Sequence, residues 1–148
     1  MHGVVLLAAG FGTRMDNQTN DKILENIGKS NAFRMCLDAF SEFQEITSTI
    51  IVFRDLEQKE KLQFETKQAN SSIRKGISFV QGGEERADSV RNGLEMLPES
   101  CEFAHIHDCA RPLIRRETVA KGIQEAGKNN PVAVARPATN TPRKRISG

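Results

Sequence analysis

Apolar residues fall along this chain in short branched runs, separated by longer stretches in which they recur every three or four positions. The run Val4 to Leu7 is unbroken and then shrinks to Ala8 and Ala9, as expected of a strand covered on both faces with space left at its end. Thr49 to Phe53 reads as a second such strand, Ile77 to Val80 as a third, the stretch holding Phe103, Ala104 and Ile106 as a fourth, and Val132 to Ala135 as a fifth. Between them Ala32, Cys36, Ala39, Phe40 and Phe43 fall at helical spacing behind two possible caps, Ser30 and Asn31. Leu56 to Ala69 reads as a charged surface helix anchored by Leu62. Val90, Leu94 and Leu97 mark a helix face that starts near Ala87 or Asp88, and Glu117 to Lys128 reads as the last helix. Strands alternating with helices, without internal repeat or linker, predict an α/β fold built on one parallel, doubly wound sheet.

A length of 148 residues fits a single domain, 1–148, large enough to bury a core. An apolar fraction of 38% and a mean hydropathy of −0.46 describe a soluble chain with a wet surface. The net charge of +2 favours no class of partner. Arg143-Lys144-Arg145 reads as a solvated run and not as a nucleic-acid arm, because no aromatic residue interleaves with it and the chain has no Trp or Tyr to stack on bases. Cys36, Cys101 and Cys109 are odd in number and form no CxxC pair, which predicts free thiols in a reducing cytoplasm, with Cys36 in the core. Met1 and His2 lead directly into the first strand, and no apolar run approaches membrane-spanning length, so the expected location is cytoplasmic with no membrane partner.

Three stretches carry candidate chemistry. In the first, VVLLAAGFGTRMDNQTNDK at 4–22, Gly10 and Gly12 let backbone N–H groups approach a phosphate. Arg14 offers a planar fork of donors to phosphate oxygens, and Lys22 a compact charge on a long stem. A nucleoside triphosphate with magnesium suits this set, and the polar run Asp16 to Asp21 would be a mobile flap over it. The plain alternative is a strand, a tight turn and solvated charges. A Walker loop is absent, and a dinucleotide fingerprint needs a glycine where Met15 stands and an acid much earlier than Asp55. In the second stretch, GGEERADSVRNGL, Gly82 and Gly83 leave backbone groups open to a planar base, and Ser89 lies in the first helical turn. A glycine turn followed by a capped helix is the plain alternative. In the third, FAHIHDCARP, Asp108 follows a strand at its carboxyl end, where it can hold magnesium, and Arg111 can take a phosphate. Asp108 as a turn residue paired with Arg111 is the alternative. His105 and His107 share one strand face, but a zinc pair would lack a third ligand.

Taken together and in this order, AAGFGTRM, the isolated Lys22, GGEERADSVRNGL and HDCARP resemble the 2-C-methyl-D-erythritol 4-phosphate cytidylyltransferases, from the first strand to about Thr141. Relatives acting on ribitol 5-phosphate share most of these motifs. The resemblance implies a Rossmann-like, doubly wound, mostly parallel sheet of nucleotidyltransferase type that joins CTP to a sugar-alcohol phosphate with Mg2+ and releases pyrophosphate. By position, Arg14 and Lys22 would be catalytic, Ala8, Ala9, Gly10 and Gly12 would run along the nucleotide, and Gly83 and Ser89 would read cytosine. Asp108 would lie by the metal and the sugar phosphate, and Arg111 and Thr141 near the second substrate, partly across a homodimer interface. The chain departs from the family at Asp21 and Ile23, which flank the lysine in place of proline and glutamine, at Cys109, an alanine-like position, and at Asn140 and Pro142 around Thr141. Family members continue well past residue 148, so the C-terminal part of the family fold is missing from this stretch. Three readings therefore stand: a cytidylyltransferase, a truncated relative that binds CTP without chemistry, and an unrelated dinucleotide-binding module.

Overall fold

In the computed structural model, which describes residues 1–10, 21–69, 76–128, 131 and 133, the first branched run occupies the middle of the sheet. Strand β1 (His2–Leu7) is paired in parallel on one side with β4 (Ile46–Phe53) and on the other with β6 (Phe103–Asp108). Strand β5 (Ile77–Gln81) joins the far side of β4, giving the order β5-β4-β1-β6 with all strands parallel. Val4, Val5 and Leu6 are fully buried, so the strand reads as an unbroken apolar run because neither of its faces meets water. Each such side chain contributes about 1.5–3 kcal/mol of burial, offset by the entropy of ordering it.

Side-chain parity assigns the helices to the two faces. Val4, Leu6, Ala8, Ile51 and Phe53 face one layer, built from helix α1 (Ala32–Ser41), Leu62 of α2 (Leu56–Gln68) and Val119 of α4 (Arg116–Ala126). Val5, Leu7, Ile50 and Val52 face the other, where Val90 of α3 (Arg86–Glu95) and Leu97 pack. The chain builds outward from β1 through β4 to β5, then crosses on the opposite face by way of α3 to set β6 on the other side of β1. The order of the main strands thus reverses between β1 and β6. The doubly wound, mostly parallel α/β sheet expected from the sequence is the one observed. No described helix is long and apolar enough to cross a membrane.

The boundaries differ from expectation in physically intelligible ways. Asn31, and not Ser30, caps α1, its side chain accepting from Arg34 N at 2.9 Å. Ser30 instead pairs with Ile27 in a two-stranded antiparallel hairpin of β2 (Asn26–Ile27) and β3 (Ser30–Asn31). Strands of two residues show no periodicity, and the only local sign of this hairpin is Gly28, whose φ of 65° suits a two-residue turn. Strand β4 starts at Ile46, earlier than Thr49, because its first residues find partners at His2 and Gly3. Helix α3 starts at Arg86, ahead of the expected Ala87 or Asp88, with the Glu85 N–H donating to Asp88 Oδ2 at 3.2 Å. Of the expected fifth strand, 132–135, all but residue 133 lies outside the described residues.

The two histidines of β6 have separate partners. His105 Nε2 lies 2.9 Å from His2 Nδ1. His107 Nε2 lies 3.0 Å from the Arg111 carbonyl, with its ring against Phe40. Among the described residues no three metal-ligating side chains cluster.

Two expectations follow from this packing. A methyl group at Gly93 would overlap Val5 Cγ1 and lie 3.1 Å from Val52 Cγ2. Gly93→Ala should therefore lose stability despite a helix-propensity gain of about 1 kcal/mol, since overpacking costs about 1–3 kcal/mol; a denaturation midpoint equal to or above wild type would contradict this close approach. The second concerns pH. Burial first, then the N-terminal ammonium, lowers the His2 pKa, and burial first, then His2, lowers that of His105. Their neutral forms fit the fold, so the stability they support is full above the unfolded value of about 6.5 and is lost as pH falls toward the depressed folded values. Urea midpoints at about pH 7.5 and about pH 5.5 should drop more for wild type than for the His2→Gln/His105→Gln double variant, and equal drops would show that this pair does not titrate with unfolding.

Candidate active site

A cleft of about 580 Å³ opens at the carboxyl ends of the strands, at the point where strand order reverses. Three motif segments converge there beside Ile23: Leu7 to Gly10 from the end of β1, Gly83 to Arg86 with Ser89 from the turn into α3, and Asp108, Ala110 and Arg111 from the end of β6. Ala8 and Ala9, read from the sequence as making space, form part of its floor. Gly10 is exposed and has nothing within 4 Å of where a Cβ would stand. Of the expected site residues, Gly12, Arg14 and Thr141 lie outside the described residues.

The glycine turn before α3 is shaped by packing as well as by any ligand. A Cβ on Gly82 would lie 2.6 Å from Ser89 Oγ and 2.9 Å from Ala9 Cβ, so the missing side chain lets the turn close on β1. Ser89 is buried, and its Oγ accepts from Gly83 N at 3.2 Å. A serine hydroxyl that accepts one hydrogen bond keeps a proton that it can donate. The Gly83 N–H, which the sequence reading left open to a base, is thus already engaged by Ser89.

Asp108 is paired with Arg86, and not with Arg111 as the plain reading of HDCARP supposed. Arg86 Nε and Nη2 each lie 3.3 Å from one of its carboxylate oxygens. Arg111 makes a tight turn instead, donating its backbone N–H to the Asp108 carbonyl at 3.0 Å, while its exposed side chain borders the cleft. Arg86 went unnoticed in the sequence, although a signal existed. It is the first residue of α3, where the helix dipole disfavours a cation, so a cation there calls for an anionic partner. A carboxylate, two guanidinium groups and a helix N-terminus therefore share one opening, an arrangement suited to phosphate groups and their counter-ion.

The loop bearing Asp108 and Arg111 is fixed from beneath. Cys36 of α1 places its Sγ 3.7 Å from the Cys109 carbonyl and 3.8 Å from the Arg111 carbonyl. Cys109 is fully buried, and its hydrogen bond with Cys36, together with burial, pushes its thiol pKa well up, so it stays neutral. Both cysteines, and Cys101, are free thiols, as expected.

Lys22 opens a short 3-10 turn, Lys22–Leu24. Its side chain is exposed and does not line the cleft, whereas its neighbour Ile23 is buried and does. Asp21 is the one described residue of the expected flap, and it is anchored, its carboxylate 3.4 Å from the Arg54 guanidinium. The fit to magnesium rests on Asp108. It is a single partly exposed carboxylate, and no cluster of three ligating side chains exists among the described residues. That donor set suits an ion that arrives with phosphates and keeps several waters.

Comparison with known proteins agrees with this geometry. The family model for 2-C-methyl-D-erythritol 4-phosphate cytidylyltransferase matches residues 2–145. The protein of that name from Alkaliphilus metalliredigens is 36% identical over 139 residues, covering 93% of this chain and 56% of the relative. The one from Caldanaerobacter subterraneus subsp. tengcongensis is 36% identical over 137 residues, covering 93% and 59%. The chain thus spans little more than half the length of these relatives. Among solved structures, the 4-diphosphocytidyl-2C-methyl-D-erythritol synthase of Anaerococcus prevotii superposes with a TM-score of 0.71 at 24% identity, over 86% of this chain and 51% of that one, a likeness of fold. With nearly the whole chain matched and all three described motif segments meeting at one cleft, this protein belongs to the 2-C-methyl-D-erythritol 4-phosphate cytidylyltransferase family.

Proposed function

We propose that this chain carries the nucleotide half of a cytidylyltransferase that moves CMP from CTP to 2-C-methyl-D-erythritol 4-phosphate. The observation that carries this reading is the convergence of Ala8–Gly10, Gly83–Ser89 and Asp108–Arg111 on the switch-point cleft. An oxygen of the substrate's phosphate monoester attacks the α-phosphorus of CTP. The new phosphoanhydride forms as the α–β bond breaks, and pyrophosphate leaves with the electron pair. The nucleophile is already anionic at neutral pH, so no general base is needed, and the residues' task is to hold negative charge.

The described residues support some roles by their placement, and the family resemblance supplies the others. Ser89, with its Oγ accepting from Gly83, can direct its proton to a cytosine acceptor, and the glycine turn brings backbone close to the base. By the family resemblance Arg14 and Lys22 would stabilise charge on the triphosphate, and Arg111, which borders the cleft, and Thr141 would serve the second substrate. Asp108 would hold Mg2+, which would neutralise charge on the phosphates, and Arg86 would turn from Asp108 to a phosphate when the ion binds. We place the protein in the cytoplasm, where its three free thiols persist. We also propose a homodimer. Among the described residues β6 is an edge strand, and Ile106, which shares a strand face with Ala104, is 44% exposed, a surface that association would cover.

The test is pyrophosphate release from CTP, magnesium and 2-C-methyl-D-erythritol 4-phosphate, with ribitol 5-phosphate as a parallel acceptor. Arg14→Ala and Lys22→Ala should each lower turnover about 10²-fold or more, by analogy with removal of an oxyanion donor. Turnover within about threefold of wild type would remove that residue from the mechanism. Faster turnover with ribitol 5-phosphate would reassign the acceptor, and CTP binding without release would mark a nucleotide-binding relative without chemistry.

A further inference from the structure

The ends of β1, β4 and β5 and the segment leading into Lys22 are tied together around one residue, Arg54, through its backbone, its guanidinium and the side chain of Gln58. Arg54 follows directly on β4. Its backbone N–H donates to Gln58 Oε1 at 2.6 Å, and its carbonyl accepts from Gln81 Nε2 at 3.2 Å. Its Nε donates to Asp55 Oδ2 at 2.8 Å, and its Nη2 to Asp21 Oδ2 at 3.4 Å. Gln58, only 1% exposed, uses its remaining amide group on the Ala8 carbonyl, 2.9 Å away, at the cleft floor. A buried amide with both ends engaged is costly to disturb, so the frame is stiff.

This frame reaches Lys22 through its neighbour. The Asp21 side chain is 9% exposed and pinned by Arg54, while the Asp21 carbonyl accepts from Leu24 N at 2.8 Å to close the 3-10 turn. On the other side of Lys22, Ile23 is buried. The backbone of Lys22 is therefore fixed at both ends and only its flexible stem is free to search. Arg54 also offsets the charge of Asp21, a carboxylate that otherwise stands beside the lysine meant for phosphates.

We propose that Arg54, braced by Gln58 and Asp55, is a positioning residue that holds Asp21 and thereby aims Lys22 at the triphosphate. The proposal rests on the cytidylyltransferase reading for its purpose, while the clamp itself is testable without it. The first measurement is the hydrogen exchange of the Leu24 amide in the free protein. It should speed up about tenfold or more in Arg54→Ala and in Asp21→Asn, with less change in Arg54→Lys, while amides of β1 keep their protection. Unchanged exchange at Leu24 in Asp21→Asn, the milder variant, overturns the clamp even where Arg54→Ala fails to fold.

The second measurement is a double-mutant cycle on Mg–CTP affinity by titration calorimetry. Arg54→Ala should weaken binding about tenfold when Lys22 is present and less than about twofold in the Lys22→Ala background. Additive losses would mean that Arg54 acts on the nucleotide directly or through general stability, and would overturn a positioning role. Absence of CTP binding by the wild-type chain would count against the cytidylyltransferase reading alone, because the exchange measurement would still decide whether Arg54 holds the turn.

Discussion

The arrangement depends on one constraint: β1 must be dry on both faces and hydrogen-bonded along both edges. Only a strand without polar side chains satisfies that, and Val4 to Leu7 supply it. Because β4 and β6 flank β1 in parallel, their carboxyl ends emerge side by side. Their crossovers leave on opposite faces, so the space just past β1 is roofed by neither helix layer. The small residues Ala8 and Ala9 keep that space open, and every group of the cleft is placed by its distance from that strand end.

Electrostatics then set what the cleft can hold. The described residues put Arg86 and Arg111 beside Asp108, with the N-terminus of α3 close by. A divalent ion held by Asp108, as proposed, would compete with Arg86 for the same carboxylate and would free its guanidinium. A pair exposed to this extent is worth little as a stabilising contact, which makes it a weak latch and an easily exchanged one.

Beneath these charges lies a layer of side chains whose work is to hold backbone still. Cys36 steadies the carbonyls of Cys109 and Arg111, Ser89 closes the glycine turn, and Gln58 joins the ends of β1 and β4. Two of the positions at which this chain departs from the family, Asp21 and Cys109, fall in this layer. Asp21 stands where the family has proline, and it gains an ion pair with Arg54 in place of a rigid ring. Cys109 stands at an alanine-like position and is fully buried, with Cys36 Sγ 3.7 Å from its carbonyl. Neither substitution alters the groups that face the cleft.

The sequence by itself determined the fold class, four parallel strands and the three segments that line the cleft, because burial on both faces and glycine at strand ends leave marks in the order of residues. Local hydrogen bonding shifted the boundaries, as at Asn31 and Glu85, where short-range caps outweighed periodicity. The hairpin at Asn26–Asn31 left no periodic trace because each strand has two residues. Tertiary structure alone decided the partners. Asp108 and Arg86 are 22 positions apart, and Asp21 and Arg54 are 33 apart. A reading along the chain pairs neighbours, as it paired Asp108 with Arg111, whereas a parallel sheet brings every strand's end to one rim and lets distant charges meet there.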